Sequence, residues 1–120
     1  MIRVVYDVGT SRGVSDKVLL AAFEAGWVES HMNNLDCGDR DSLGVFQQRP
    51  SSGWCDPASL CMDVTHASNR FYAKAEDLEP GCGSCTAGQL AQRVQLSAFP
   101  DRYDEAEPKA RELIAEARGT

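Results

Sequence analysis

The sequence contains no apolar stretch that approaches the roughly 20 residues needed to cross a membrane, and no internal repeat or low-complexity run. Its beginning has no long apolar segment of the kind that marks a secretory signal peptide. Cationic side chains are in the minority as well, with 12 Lys and Arg against 18 Asp and Glu and a net charge of −6. Because phosphate binding requires a surplus of Lys and Arg, we expect no nucleic acid partner, and we expect no membrane association.

The chain length of 120 residues is enough for one hydrophobic core and leaves no room for a second domain. We therefore expect a single domain over residues 1–120. Hydrophobic residues make up 42% and charged residues 25%, which is the composition of an ordinary globular protein.

Helical periodicity predicts a mainly α fold with four or five helices around one loop-rich segment. The expected helical segments are residues 15–32, 56–78, 86–98 and a last helix from residue 108. Their expected first residues are Ser15, Asp56 with Pro57, Thr86 and Pro108, with Asp63 capping a second segment of the second helix. Residues 36–53 are rich in Gly, Pro, Asp and Ser, which predicts loop structure with at most a small β element near residues 40–48.

Glu29 is the first candidate for chemistry. It extends the apolar stripe of Val18, Ala22 and Ala25 to the C-terminal end of the first predicted helix. A carboxyl group at that place is expected to be partly desolvated and to feel the negative end of the helix dipole, which favours the neutral acid. A general acid for glycoside cleavage needs this property. The alternative is a helix-end glutamate that reaches into water, and periodicity alone favours that alternative.

The surroundings of Glu29 carry a resemblance to a known family. Glu29-Ser30, followed by Gly44-Val45-Phe46-Gln47-Gln48, resembles the Glu-Ser and Gly-Leu-Met-Gln pair of the lysozyme-like superfamily, found in soluble lytic transglycosylases and goose-type lysozymes. The block from residue 28 to 54 is similar to small lysozyme-like domains of actinobacteria and their phages. The similarity continues through residues 69–72 and 91–103, so it spans about residues 14–105.

The resemblance implies a lysozyme-like fold and a role for each matching residue. Glu29 would protonate the glycosidic oxygen, and Ser30 would orient Glu29 or bind a sugar. The turn of residues 44–48 would form the floor of the sugar groove, with Gln47 binding substrate and Phe46 adding an aromatic surface. Tyr103 would lie near the acid. The residues expected to bind substrate are Ser30, Asp41, Gly44, Phe46, Gln47, Gln48, Trp54 and Tyr103.

Asp39 and Asp41 are the candidates for a catalytic base. Gly38-Asp39-Arg40 resembles the Gly-Asp-Arg of goose-type lysozymes, whose aspartate helps to position the attacking water. An inverting hydrolase needs such a base roughly 6.5–9.5 Å from the acid, whereas a lytic transglycosylase needs none because the C6 hydroxyl of the sugar attacks. Asp39 is the candidate base and Asp41 the alternate. Both residues also suit turn formation, and for Asp41 that alternative is favoured.

Trp54 is a candidate for stacking on a sugar ring because it lies in the loop-rich segment. Aromatic residues this close to a core more often pack inside it, so packing is the alternative for this residue.

The chain has five cysteines, and their spacing leaves two interpretations open. The first is a pair of disulfides, Cys55–Cys61 and Cys82–Cys85, with Cys37 free. The second is a zinc site formed by those four cysteines, with His66 as a further ligand. Only Cys82-x-x-Cys85 has metal-like spacing, so disulfides are favoured. A redox role for this pair is less favoured still, because no β-α-β pattern surrounds it.

Together these observations predict a lysozyme or a lytic transglycosylase. It would cleave the β-1,4 bond between N-acetylmuramic acid and N-acetylglucosamine in peptidoglycan, at the bacterial cell wall, as a secreted, phage-encoded or virion-associated protein. No cofactor is expected, and the protein would act as a monomer or as a domain of a larger one. The net charge of −6 offers no attraction to an anionic wall. The alternatives are a non-catalytic glycan-binding module and a zinc-stabilised structural or virion protein.

Overall fold

The computed structural model describes residues 1–119 and confirms the mainly α prediction. Within these residues the only β feature is an isolated antiparallel bridge between Leu43 and Gln48, inside the segment where a small β element was expected. The helices are α1 (Ile2–Arg12), α2 (Asp16–Ser30), α3 (Val64–Leu78), α4 (Ala87–Gln95), α5 (Arg102–Glu105) and α6 (Glu107–Arg118). Short 3-10 helices lie at Pro50–Ser52, Ala58–Met62 and Glu79–Cys82.

Helix α2 is the centre of the fold and contacts all five other α-helices. Every residue from Val18 to Gly26 is buried, because this stretch is apolar on all sides except at Glu24. A helix that is hydrophobic all round gains most by being enclosed by its neighbours. As a result, the C-terminal turn of α2, which carries Glu29, is held in a fixed position at the edge of the core.

Three predicted N-caps are confirmed. The Ser15 side chain accepts a hydrogen bond from the Val18 N–H at 3.1 Å, and Asp63 accepts one from the His66 N–H at 3.0 Å. Thr86 accepts from the Gln89 N–H, and the Gln89 side chain accepts from the Thr86 N–H in return. These contacts satisfy backbone donors that a helix start leaves without an internal partner.

The second predicted helix differs from its expected form. Residues 58–62 make a separate 3-10 helix, and α3 begins only after Asp63. At the other end of the molecule, α4 stops at Gln95 rather than near residue 98, because Leu96 adopts a left-handed backbone conformation with φ 53°.

Two helices were not predicted. Helix α1 contains β-branched residues and Gly9, lacks a side-chain N-cap, and therefore carries a weak local signal. It is held by tertiary contacts, since the Tyr72 hydroxyl donates to the Val5 carbonyl at 2.8 Å. A Cβ at Gly9 would lie 2.8 Å from the Tyr72 ring, so glycine permits this close approach. Helix α5 is only four residues long.

The cysteines form the two expected disulfides, Cys55–Cys61 and Cys82–Cys85, while Cys37 is free and exposed. The alternative of one zinc site made by these four cysteines is wrong, because their sulfurs are bonded in separate pairs. In the described part of the chain, no group of three or more His, Cys, Asp or Glu side chains is placed to hold a metal ion. No helix within residues 1–119 is long and apolar enough to span a bilayer.

Candidate active site

A groove of about 1320 Å³ is formed by the last turn of α2, the loop of residues 39–54, helix α3 and the segment of residues 94–102. It brings together several residues that were predicted from the sequence to act in one site. These are Glu29, Asp39, Gln47, Gln48 and Trp54. The full set of lining residues extends from Arg12 to Arg102, so residues far apart in the chain share one surface.

The half-buried carboxylate of Glu29 is held through one of its two oxygens. The Tyr103 hydroxyl donates to Oε2 at 2.6 Å, and the Gln95 side-chain amide donates to the same atom at 3.3 Å. Among residues 1–119, no group donates a hydrogen bond to Oε1. The arrangement fixes the carboxyl group and leaves one oxygen for a ligand in the groove.

Tyr103 is fully buried and is placed by α5. Burial, together with the neighbouring Glu29 carboxylate, raises the pKa of the Tyr103 phenol well above its usual value. The phenol therefore stays protonated and remains a hydrogen-bond donor to Glu29 at any physiological pH. The structure confirms the expected placement of a tyrosine beside the candidate acid.

Gln95 was not predicted as a site residue. Its side-chain amide also donates to the Phe46 carbonyl at 2.8 Å, so it connects the end of α4, the turn of residues 43–48 and the Glu29 carboxylate. It lies in the 91–103 stretch that resembles lysozyme-like domains, but no helical pattern marks a polar residue at a helix end as a site residue.

Ser30 holds the turn rather than the acid. Its hydroxyl lies 2.7 Å from the Val45 carbonyl oxygen and donates to it, and it accepts from the Asn33 N–H at 3.1 Å. The side chain is buried and does not line the groove. The expectation that Ser30 orients Glu29 or binds a sugar directly is therefore replaced by a structural link between α2 and the turn.

Gly44 and Phe46 are also buried beneath the groove rather than exposed in it. Gly44 has φ +85°, and a Cβ there would lie 2.2 Å from the Cys61 carbonyl oxygen, so the turn requires glycine. The Phe46 ring stacks on Phe71 with 4.9 Å between ring centroids. The aromatic groove surface expected from Phe46 is not formed, because the ring packs in the core.

The two glutamines of the turn differ in exposure. Gln47 lines the groove, and its side-chain amide donates to the Gly44 carbonyl at 3.0 Å, while its side-chain oxygen packs against Gly38. Gln48 is 2% exposed and donates to the Ala67 carbonyl at 3.1 Å. Gln47 is therefore the better placed of the two for binding substrate.

The two aspartates lie in different places, and Asp41, which was expected to bind substrate, lies outside the groove. Asp39 is exposed and lines the same groove as Glu29. Asp41 does not line it, and accepts hydrogen bonds from the Arg49 guanidinium at 2.6 Å and from the Ser51 N–H at 2.9 Å. These hydrogen bonds hold the pKa of the Asp41 carboxyl well below its usual range. Asp41 stabilises the loop, and Asp39 stays the candidate base.

Aromatic rings lie at two places in the groove. Trp54 is half-buried, with the Arg70 guanidinium carbon 5.7 Å from its ring centroid. Phe99 is 56% exposed, with the Arg102 guanidinium carbon 4.1 Å from its ring centroid. Phe99 was not predicted as a site residue, because the sequence does not show that its ring is exposed. Sugars stack on such rings.

Comparison with models of known protein families gives no match to this chain, and comparison with curated proteins gives none either. The function is therefore inferred from the groove, from the way Glu29 is held in it, and from the resemblance of the 28–54 block.

Proposed function

We propose that this protein is a peptidoglycan glycosidase that cleaves the β-1,4 bond between N-acetylmuramic acid and N-acetylglucosamine, with Glu29 as the general acid. One observation carries the proposal. Glu29 lies in an open groove with Oε2 held by Tyr103 at 2.6 Å and with Oε1 free of protein donors within residues 1–119. The resemblance of the 28–54 block to lysozyme-like domains supports the same assignment.

The hydrogen bonding defines which oxygen of Glu29 acts. Because the Tyr103 hydroxyl donates to Oε2, the proton of the neutral acid is left to Oε1. Oε1 would give this proton to the glycosidic oxygen as the bond from that oxygen to the sugar C1 breaks and positive charge develops on the ring. The leaving sugar then departs as an alcohol, and Glu29 is left as a carboxylate.

Two fates are open to the cleaved sugar. In a hydrolase, Asp39 would accept a proton from a water molecule whose oxygen bonds to C1. In a lytic transglycosylase, the C6 hydroxyl of the same sugar attacks C1 and forms a 1,6-anhydro ring, and Glu29 takes up the released proton. Asp39 lies in the same groove as Glu29, which supports its candidacy for the first route.

The groove suits a polymer rather than a small ligand. Its volume of about 1320 Å³ exceeds that of a typical pocket for a single small molecule, and it spans from Trp54 to Phe99. Several sugar rings could lie in it side by side, with the scissile bond at Glu29.

The test is digestion of purified peptidoglycan followed by mass spectrometry of the released fragments. We expect wild type to release fragments and Glu29→Gln to lower the rate by about 10²- to 10⁴-fold, the usual contribution of a general acid. Glu112→Gln is the matched control, since it removes an exposed helical carboxylate on α6, outside the groove. Wild type that binds the wall yet releases no fragments would rule out the enzyme and favour a binding module.

The same spectra distinguish the two routes. Transglycosylase products end in 1,6-anhydro sugars and are lighter by one water than hydrolase products. If water is the nucleophile, Asp39→Asn should lower the rate strongly. If the products carry anhydro ends, Asp39→Asn should leave the rate nearly unchanged.

A further inference from the structure

The charges of this protein are distributed unevenly. The whole sequence carries 12 Lys and Arg against 18 Asp and Glu. Six of the cations line the groove, but only four of the carboxylates do. The cations are Arg12, Arg40, Arg49, Arg70, Lys74 and Arg102. A chain with a net charge of −6 thus has a groove with a surplus of positive charge.

Two of these cations are already neutralised by the protein. Arg12 forms an ion pair with Glu76 at 2.8 Å, and Arg49 forms one with Asp41 at 2.6 Å. They stabilise the groove walls and are not available to a ligand in the same way as an unpaired cation.

The other four have no carboxylate partner within residues 1–119. Arg40 and Lys74 are exposed and make no side-chain hydrogen bond or ion pair there. Arg70 donates to the Gly53 carbonyl at 3.1 Å beside Trp54, and Arg102 lies over Phe99. The carboxylates that line the groove without an ion pair are Glu29, Asp39 and Asp77.

We infer that the groove selects glycans that carry carboxylates, and that Arg40, Arg70, Lys74 and Arg102 recognise those groups. This inference rests on the proposed function, since it names the substrate class of the same groove. A guanidinium matches the two oxygens of a carboxylate, and cations in a groove that lack a carboxylate partner attract a ligand of opposite charge. Arg70 and Arg102 each lie beside an aromatic ring, so one site can stack a sugar and pair its charge. A neutral glycan gains only the stacking.

Carboxylates on a peptidoglycan strand have two sources. They belong to the stem peptide where one is attached, or to the lactyl group of muramic acid where the peptide has been removed. Chito-oligosaccharides have the same β-1,4 backbone and carry no carboxylate. These three glycans, at matched length, are therefore the probes for the experiment.

Binding is measured by calorimetry on the Glu29→Gln protein, so that nothing is cleaved. At low ionic strength we expect carboxylate-bearing strands to bind about tenfold more tightly than chito-oligosaccharides. This preference should shrink as salt is added, because screening shortens the reach of exposed charges from about 30 Å at 0.01 M to about 8 Å at 0.15 M. Whichever strand binds more tightly identifies the source of the carboxylate.

The variants test whether the binding preference comes from the cations in the groove or from the net charge of the protein. Arg40→Gln with Lys74→Gln should reduce the preference by about two- to fivefold for each charge removed. Both residues are exposed, so the fold should be unaffected. Arg118→Gln removes one charge on α6 outside the groove and should leave the preference unchanged.

Two results would overturn the inference while leaving the proposed function intact. One is equal affinity for all three glycans. The other is an equal effect of Arg118→Gln, which would show that net charge alone is responsible. If none of the three glycans binds, the proposed function fails as well, so the two failures are distinguishable.

Discussion

At the scale of single residues, Glu29 depends on neighbours that hold it from one side. Tyr103 and Gln95 both donate to Oε2, and neither is part of α2. The carboxylate is thus placed by its own helix but oriented by α4 and α5. If Glu29 is the general acid that we propose, Tyr103 is a positioning residue, because it contacts this carboxylate and is itself fully buried.

Removal of the Tyr103 hydroxyl should therefore slow catalysis more than it weakens binding. Tyr103→Phe keeps the ring and loses one hydrogen bond to a charged group, worth about 1.5–3 kcal/mol. We expect kcat to fall by about ten- to 100-fold, with KM changed less than twofold. Steady-state kinetics on soluble glycan strands measure both. Tyr6→Phe, outside the groove, is the control, and a change in KM alone would show that Tyr103 does not position the acid.

At the scale of elements, the sequence was most informative where a side chain forms a hydrogen bond with the backbone of a residue close to it in the chain. Ser15, Asp63 and Thr86 cap helices as predicted, because capping depends on residues three positions apart. Helix α1 was missed because its stability comes from Tyr72, which lies 67 positions after Val5 in the chain. Local patterns contain no information about such a contact.

The turn of residues 43–48 shows the same difference between what the sequence predicts and what tertiary contacts decide. Resemblance located the turn correctly beside Glu29, but not which side chains face the groove. Phe46 and Ser30 are buried because Phe71 and Val45 offer them partners, and only the tertiary structure reveals those partners. Asp39, Gln47 and Trp54 line the groove as expected.

Gly44→Ala tests whether this turn needs glycine. The substitution meets two costs, a positive φ of 85° and a Cβ that would lie 2.2 Å from the Cys61 carbonyl oxygen. We expect a loss of about 2–4 kcal/mol in the free energy of unfolding. Gly53→Ala is a matched control, since Gly53 has the same φ and no atom within 4 Å of the added Cβ. It should cost only about 1–2 kcal/mol, and equal losses in denaturant titrations would disprove the clash.

At the scale of the whole molecule, the central helix carries an ionisable group inside the core. Glu24 is fully buried, and neither of its carboxylate oxygens has a hydrogen-bond partner within residues 1–119. Burial raises the pKa of Glu24 to about 8, and the negative charges of Asp104 and Glu107 add smaller contributions in the same direction. The positive charge of Arg111 opposes this shift. Helical periodicity did not identify Glu24 as buried, because a charged residue is expected on a solvent-exposed face. Helix α2 has no such face over residues 18–26.

This burial makes stability depend on pH. Between the unfolded value of 4.5 and the folded value of about 8, the folded protein binds the Glu24 proton and the unfolded chain does not. The stability that the protonated Glu24 contributes is therefore fully present below pH 4.5 and is lost as the pH rises towards 8. Stability should fall with a slope approaching about 1.4 kcal/mol per pH unit.

Glu24→Gln removes the ionisation and keeps the shape. We expect similar stability for wild type and variant near pH 5, and a clear advantage for the variant at pH 8. Urea unfolding at a series of pH values measures this difference. Parallel pH profiles for the two proteins would show that Glu24 does not titrate on unfolding.

The two disulfides close loops between cysteines that are only six and three positions apart. A cross-link over so short a loop removes little freedom from the unfolded chain. Both lie in connections between helices, so none of the six helices is joined to another by a covalent bond outside the backbone. Reduction of both disulfides should therefore leave the helical body assembled and loosen only the two connections, and one of these carries Trp54 to the groove.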